Sequence, residues 1–202
     1  MREPENIRQL VALGIDYIGF IFYPPSKRFV ESIEQDTLNE LPKELKRTGV
    51  FVDASKEEIL QRIPHFGLNA LQLHGTESPE LCGELKRSGL EIIKAFGVDE
   101  NFDFEILKPY EGKVDYFLFD TKTKQHGGSG LTFDWRLLDN YKLETPYLLS
   151  GGLDENNIFE ALELDDARFY GLDLNSRFEI SPALKDIEKL KSVIHKLKGI
   201  PA

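Results

Sequence analysis

The sequence predicts an α/β protein, a parallel TIM (β/α)8 barrel with its first strand missing, on three observations. Short apolar runs rich in aromatic and β-branched residues alternate with amphipathic stretches along the chain, and such alternation implies parallel strands joined by right-handed crossovers. Seven runs read as strands, starting near Tyr17, Gly49, Ala70, Ile92, Tyr116, Tyr147 and Phe169, one short of the eight that a closed barrel needs. The chain also opens on a helical pattern, where this architecture opens on a strand.

Residues 4–13 predict a short helix with Ile7, Leu10 and Val11 on one face and Gly14 as its stop. Residues 17–23, YIGFIFY, are a strand by content. Pro24-Pro25-Ser26 ends it and opens a loop with Lys27 and Arg28. Residues 33–45 read as a helix limited by Pro42, 49–52 as a strand, 56–63 as a helix and 70–73 as a strand. Ser78-Pro79-Glu80 starts a helix that runs to about Arg87, with Ser as cap. A strand at 92–96 and a weak helix at 102–107 follow.

The run Tyr116-Phe117-Leu118-Phe119 is apolar on both faces, as a strand covered on both sides must be. It ends in one carboxylate, Asp120, and then a glycine-rich loop, HGGSG, at 126–130. A charge there belongs to the rim, which in a parallel barrel is the active-site face; a turn residue is the plain alternative. Residues 134–138 predict a short helix, 147–150 a strand, 154–162 a helix, 169–174 a strand and 182–197 a long closing helix. No linker interrupts the sequence, so 1–202 is expected to be a single domain.

The 202 residues carry a net charge of −10, which argues against nucleic acid or an anionic membrane as partner, since both select basic patches. No apolar run approaches the ~20 residues of a membrane span. The single cysteine, Cys82, excludes an intrachain disulfide and fits a reducing cytoplasm. No Cys/His spacing suits a metal, and no dinucleotide or P-loop signature occurs.

The strand ends supply the chemical candidates. Arg28 could hold a carboxylate or phosphate in a bidentate fork, or be a solvated charge. Gln72 and His74 alternate onto one side of their strand. Gly151-Gly152 and Asn175-Ser176, after the last two strands, could present backbone N–H groups to a phosphate. Asp173 shares the inward side with Asn175.

Six stretches carry a resemblance: GFIFYPPSKRFV (19–30), GVFVDAS (49–55), LQLHGTESPE (71–80), FLFDTKTKQHGGSGLTFDW (117–135), LLSGGLDENN (148–157) and GLDLNSRFEISPALKD (171–186). In order and spacing they resemble phosphoribosylanthranilate isomerase, a ribulose-phosphate-binding barrel of tryptophan biosynthesis. The resemblance implies an Amadori rearrangement of N-(5-phosphoribosyl)anthranilate by general acid/base catalysis, without metal or organic cofactor. It implies Asp120 as general acid, Arg28 on the anthranilate carboxylate, and Asp173 facing the amine and sugar. Gln72 and His74 would line the pocket, and Gly151, Gly152, Asn175 and Ser176 would bind the phosphate. The expected partner is this small molecule, with no nucleic acid or membrane, in a cytoplasmic monomer or homodimer.

Two departures stand out. The family's general base is a cysteine in a KxCG-type motif that ends the first strand, and Met1-Arg2-Glu3-Pro4 resembles the residues directly after that motif. Cys82, inside SPELCGEL, is no substitute. The chain as given is therefore expected to be inactive; the alternative is a non-catalytic phosphate-binding barrel that has lost its base. The second departure is Ala183, where the family usually places a glycine after proline.

Overall fold

The computed structural model describes residues 1–122 and 132–199; the expected glycine-rich loop at 126–130 lies outside them. The seven predicted strands form one sheet in chain order. They are β1 Tyr17–Ile21, β2 Lys46–Phe51, β3 Ala70–Leu73, β4 Glu91–Val98, β5 Tyr116–Thr121, β6 Tyr147–Leu149 and β7 Phe169–Leu172. The ladders β1–β2, β4–β5, β5–β6 and β6–β7 are parallel, the last with a register shift at Tyr147/Leu148. Contacts group the chain into two compact units, Met1–Leu71 with Phe178–Ala202, and Gln72–Arg177.

In the first unit, helix α1 (Pro4–Ala12) starts on a proline that needs no N–H partner at its first position and buries Ile7 and Leu10. Helix α3 (Lys56–Phe66) opens with a reciprocal cap: Ser55 Oγ accepts the Glu58 N–H, and Glu58 Oε2 accepts the Ser55 N–H at 2.8 Å. Phe20, Phe22 and Phe66 form its aromatic core, the last two at 4.7 Å and edge-on. In the second unit, helix α4 (Pro79–Lys86) is capped by Ser78 as its sequence predicts. Phe117 and Phe119 of β5 pack edge-on against buried Tyr141, and Phe119 lies 5.4 Å from Tyr147 of β6.

Several helices are shorter than their patterns. The expected helix at 33–45 is only α2, Gln35–Asn39, because the chain stops short of Pro42 and enters β2 at Lys46. The stretches at 102–107 and 134–138 become 3-10 helices, Phe104–Tyr110 and Trp135–Asn140. The helix expected at 154–162 is only α5, Ile158–Ala161. Asn157 takes the Asp154 N–H and donates to the Gly152 carbonyl, closing a side-chain turn in place of a first helical turn.

The closing helix, α6 (Ile187–Leu197), starts five residues later than expected, on the Asp186 cap. Before it lies an antiparallel hairpin, β8 (Glu179–Ser181) with β9 (Leu184–Lys185). Side chains hold that backbone extended. Glu179 accepts the Ala183 N–H, and buried Asn6 of α1 bonds both the N–H and the carbonyl of Lys185, at 2.7 and 2.9 Å. Ala183 turns the hairpin at φ +70.

A Cβ in the left-handed region costs roughly 1–2 kcal/mol, part of which glycine returns as unfolded-state entropy. Ala183→Gly is therefore expected to stabilise the chain by about 0.5–1 kcal/mol, read as a higher urea midpoint at unchanged slope. A lower midpoint would mean that the alanine methyl, buried as it is, contributes more packing than its backbone costs.

Candidate active site

The carboxyl of Asp120 ends the apolar run of β5. Parallel pairing sets it beside Gly97 of β4, so its side chain emerges where the strands give way to loops. Thr121 N–H donates to its Oδ1 at 2.8 Å, and His74 Nε2 stands 3.5 Å from its Oδ2. Burial, seconded by the carboxylate of Asp173, pushes the Asp120 pKa up to about 6 against the pull of the Thr121 N–H. A carboxyl so placed holds a proton at mildly acidic pH and can release it near neutrality.

Gln72 of β3 and His74, one residue past its end, meet on one side, with Gln72 Nε2 3.2 Å from His74 Nδ1. Donation from the Gln72 amide would select the tautomer that carries its proton on Nε2, the nitrogen on the side of Asp120. Asp173, just past β7, accepts from Ser150 Oγ at 3.0 Å and bonds the end of β6 through its own N–H.

Gly151 and Gly152 follow β6 with φ of +81 and +68. A Cβ on Gly151 would lie 2.4 Å from Asp120 Oδ1 and 2.5 Å from the Thr121 nitrogen, so only glycine lets the carboxyl keep its place. Helix α5 starts only at Ile158, so the helix expected to begin beside this turn does not adjoin it. Asn175 and Ser176 follow β7, and Ser176 opens a 3-10 turn through Phe178.

Beneath this cluster lies an ion pair that the strand pattern did not reveal. Lys94 of β4 and Glu77 approach to 3.2 Å with 1% of either side chain exposed. Lys94 Nζ also donates to the carbonyls of Leu73 and Gly75, and the Gly75 N–H donates to Glu77. The available signal was a lysine inside the apolar strand EIIKAF, which must have a buried partner. Ser150 carried no signal of its own.

The structure thus brings together Gln72, His74, Asp120, Gly151 and Asp173. Arg28 lies in the first unit, where its guanidinium is bound to Glu179: Nε to Oε2 at 2.9 Å and Nη2 to Oε2 at 2.6 Å. Cys82 is wholly buried in α4, and burial pushes its thiol up to about 11, so it is unsuited to serve as a nucleophile or base. Among the described residues, no group of three or more His, Cys, Asp and Glu could hold a metal ion, and no helix is long and apolar enough to cross a membrane.

The family model for N-(5'-phosphoribosyl)anthranilate (PRA) isomerase matches residues 1–196. The chain belongs to the phosphoribosylanthranilate isomerase family. It is 50% identical to the N-(5'-phosphoribosyl)anthranilate isomerase of Parabacteroides distasonis, covering 98% of this chain and 90% of that one. It is 46% identical to that of Phocaeicola vulgatus, over 98% and 95%. Among solved structures, the phosphoribosylanthranilate isomerase of Thermotoga maritima superposes with a TM-score of 0.83 at 36% identity, covering 99% of this chain and 96% of that one. Another, in complex with reduced 1-(o-carboxyphenylamino)-1-deoxyribulose 5-phosphate, gives 0.80 at 33%, over 99% and 96%. The chain shares the α/β TIM-barrel fold of these family members, whose reaction is an isomerisation in tryptophan biosynthesis.

The burial of Asp120 has a thermodynamic consequence. Folding raises its pKa from 3.8 to about 6, so between these values the native state holds a proton that the unfolded chain has lost. Its contribution to stability therefore falls as pH rises from about 4 to about 6, by on the order of 2–3 kcal/mol. Asp120→Asn keeps an oxygen for the Thr121 N–H and removes the charge. The variant is expected to gain on the parent over this window and to be the more stable protein at pH 7. Urea titrations of both proteins at pH 4.5 and 7 read the difference, and an equal pH response in the two would remove desolvation as the cause.

Proposed function

We propose that Asp120 of this chain is the general acid in the isomerisation of N-(5'-phosphoribosyl)anthranilate. The observation that carries the reading is the placement of Asp120: a carboxyl at a strand's C-terminal end, buried, and protonated up to about pH 6. Proton transfer from this carboxyl to the furanose ring oxygen breaks the bond between that oxygen and C1. The anilino nitrogen supplies the electron pair and becomes an iminium. Loss of the C2 proton to a base then gives the enol-amine, which relaxes to the C2 ketone as C1 takes up a proton. No atom is gained or lost, and no oxidant is needed.

The surrounding groups support that sequence. Asp173 raises the proton affinity of Asp120 while the acid waits, and it is a negative neighbour for the cation that forms when the ring opens. The resemblance gives Asp173 the amine and sugar, Gln72 and His74 the pocket wall, and Arg28 the anthranilate carboxylate. The backbone turns at Gly151-Gly152 and Asn175-Ser176 take the phosphate, whose recognition needs only local N–H donors despite the net charge of −10. The resemblance assigns the base to a cysteine; Cys82, with its buried thiol, is not that group.

Two measurements test this reading. Asp120→Asn is expected to lower kcat by about 10²–10⁴-fold, followed through the fluorescence of the anthranilate ring, while binding the reduced product analogue with near-parental affinity. Activity close to that of the parent would take Asp120 out of the mechanism. Crystals grown in phosphate are expected to place an anion against the backbone of Gly151-Gly152 and Asn175-Ser176. An anion at high occupancy elsewhere, with this corner empty, would move the phosphate site.

A further inference from the structure

Arg28 reaches its place by two independent constraints. Its loop is tied back to β1 by the Val30 N–H, which donates to the Ile21 carbonyl at 2.9 Å, and the Ser26 hydroxyl accepts the Arg28 N–H at 3.1 Å. The side chain is then held by Glu179. Nε donates to both Glu179 oxygens, at 3.0 and 2.9 Å, and Nη2 donates to Oε2 at 2.6 Å. This occupies the Nε/Nη2 edge of the guanidinium. Among the described residues no hydrogen bond uses Nη1, so the other edge, Nη1 with the outer N–H of Nη2, remains for a second carboxylate.

A carboxylate on an arginine can also be a competitor that a ligand displaces. Glu179 is not built as one. Only 4% of its side chain is exposed, and its Oε1 accepts the Ala183 N–H at 3.1 Å and lies 3.8 Å from Lys185 Nζ. Lys185 is clamped in turn by both atoms of the Asn6 amide. Burial works against the charge on Glu179, but Arg28 and Lys185 outweigh it and hold its carboxyl below the usual range. Moving Glu179 off Arg28 would leave a buried anion facing Lys185 alone.

We propose that Glu179 is a positioning residue for substrate recognition: it fixes the Nε/Nη2 edge of Arg28 so that the Nη1/Nη2 edge is presented to the substrate's aromatic carboxylate. This rests on the assignment of Arg28 to that carboxylate. A guanidinium held on one edge loses little freedom on binding, so the gain appears in the affinity of carboxylated ligands and not in the chemical step.

The test titrates the full chain with two ligands by calorimetry: reduced 1-(o-carboxyphenylamino)-1-deoxyribulose 5-phosphate, and the same molecule without its carboxyl group. Glu179→Gln is expected to weaken the carboxylated ligand on the order of tenfold, with less than about twofold change for the other. Equal weakening of both would mean that Glu179 only supports the fold, and no weakening of either would mean that Arg28 orients itself; each overturns the proposal. Arg28→Met separates the two assignments. If it leaves the carboxylated ligand unaffected, the role of Arg28 fails and Glu179 falls with it. If it weakens that ligand while Glu179→Gln does not, only the positioning role fails. Should Glu179→Gln not fold, Glu179→Asp, with its charge on a shorter stem, is read by the same two ligands.

Discussion

The ion pair of Lys94 and Glu77 is the constraint on which the strand ends around Gln72 and His74 depend. Both charges are withdrawn from water, which is tolerable only because nearly every donor and acceptor around them is used. Lys94 Nζ caps the carbonyls at the end of β3, Glu77 takes the N–H of Gly75, and Tyr110 closes the back by donating to the Glu77 carbonyl. Truncating one partner of such a pair strands the other, typically at a cost of about 3–5 kcal/mol. The end of β3, with Gln72 and His74, is thereby fixed against β4, and β4 is paired along its length with the strand that carries Asp120.

Most strands were legible as apolar runs, because a strand covered on both faces selects them; β2 nevertheless begins at Lys46, ahead of its apolar run, and β4 carries Lys94 within it. Asp120 was legible for the same reason, as the first charge after Tyr116-Phe117-Leu118-Phe119. The helices were overestimated where side chains compete with the backbone. Asn157 and Asp154 build a turn from residues that read as a helix start, and Pro182 reads as a helix entry although Glu179 and Asn6 hold its neighbourhood extended. The partners of Lys94, Asp173 and Arg28 were illegible because they are matters of distance in space. Glu179 is 151 residues from Arg28 along the chain, and no local pattern spans that gap.

Glycine and alanine mark two answers to one backbone problem. Gly151 sits where a side chain would collide with Asp120 and Thr121, so its identity follows from the atoms opposite it. Ala183 adopts a similarly left-handed conformation with its methyl buried. Its methyl is tolerated because Glu179 receives its N–H and the hairpin is closed by other hands. The first position is dictated by the site and the second only by the turn.

The segment 178–199 has a further consequence, for the order in which the molecule can be made. The second unit is one continuous stretch of chain, whereas the first is assembled from both ends. Lys185 is bonded to Asn6, and Lys198 Nζ donates to the carbonyl of Gly14 at 2.8 Å. Helices α1 and α6, from the two ends of the described chain, pack together on the first unit. During synthesis the residues that begin the chain wait for those that end it.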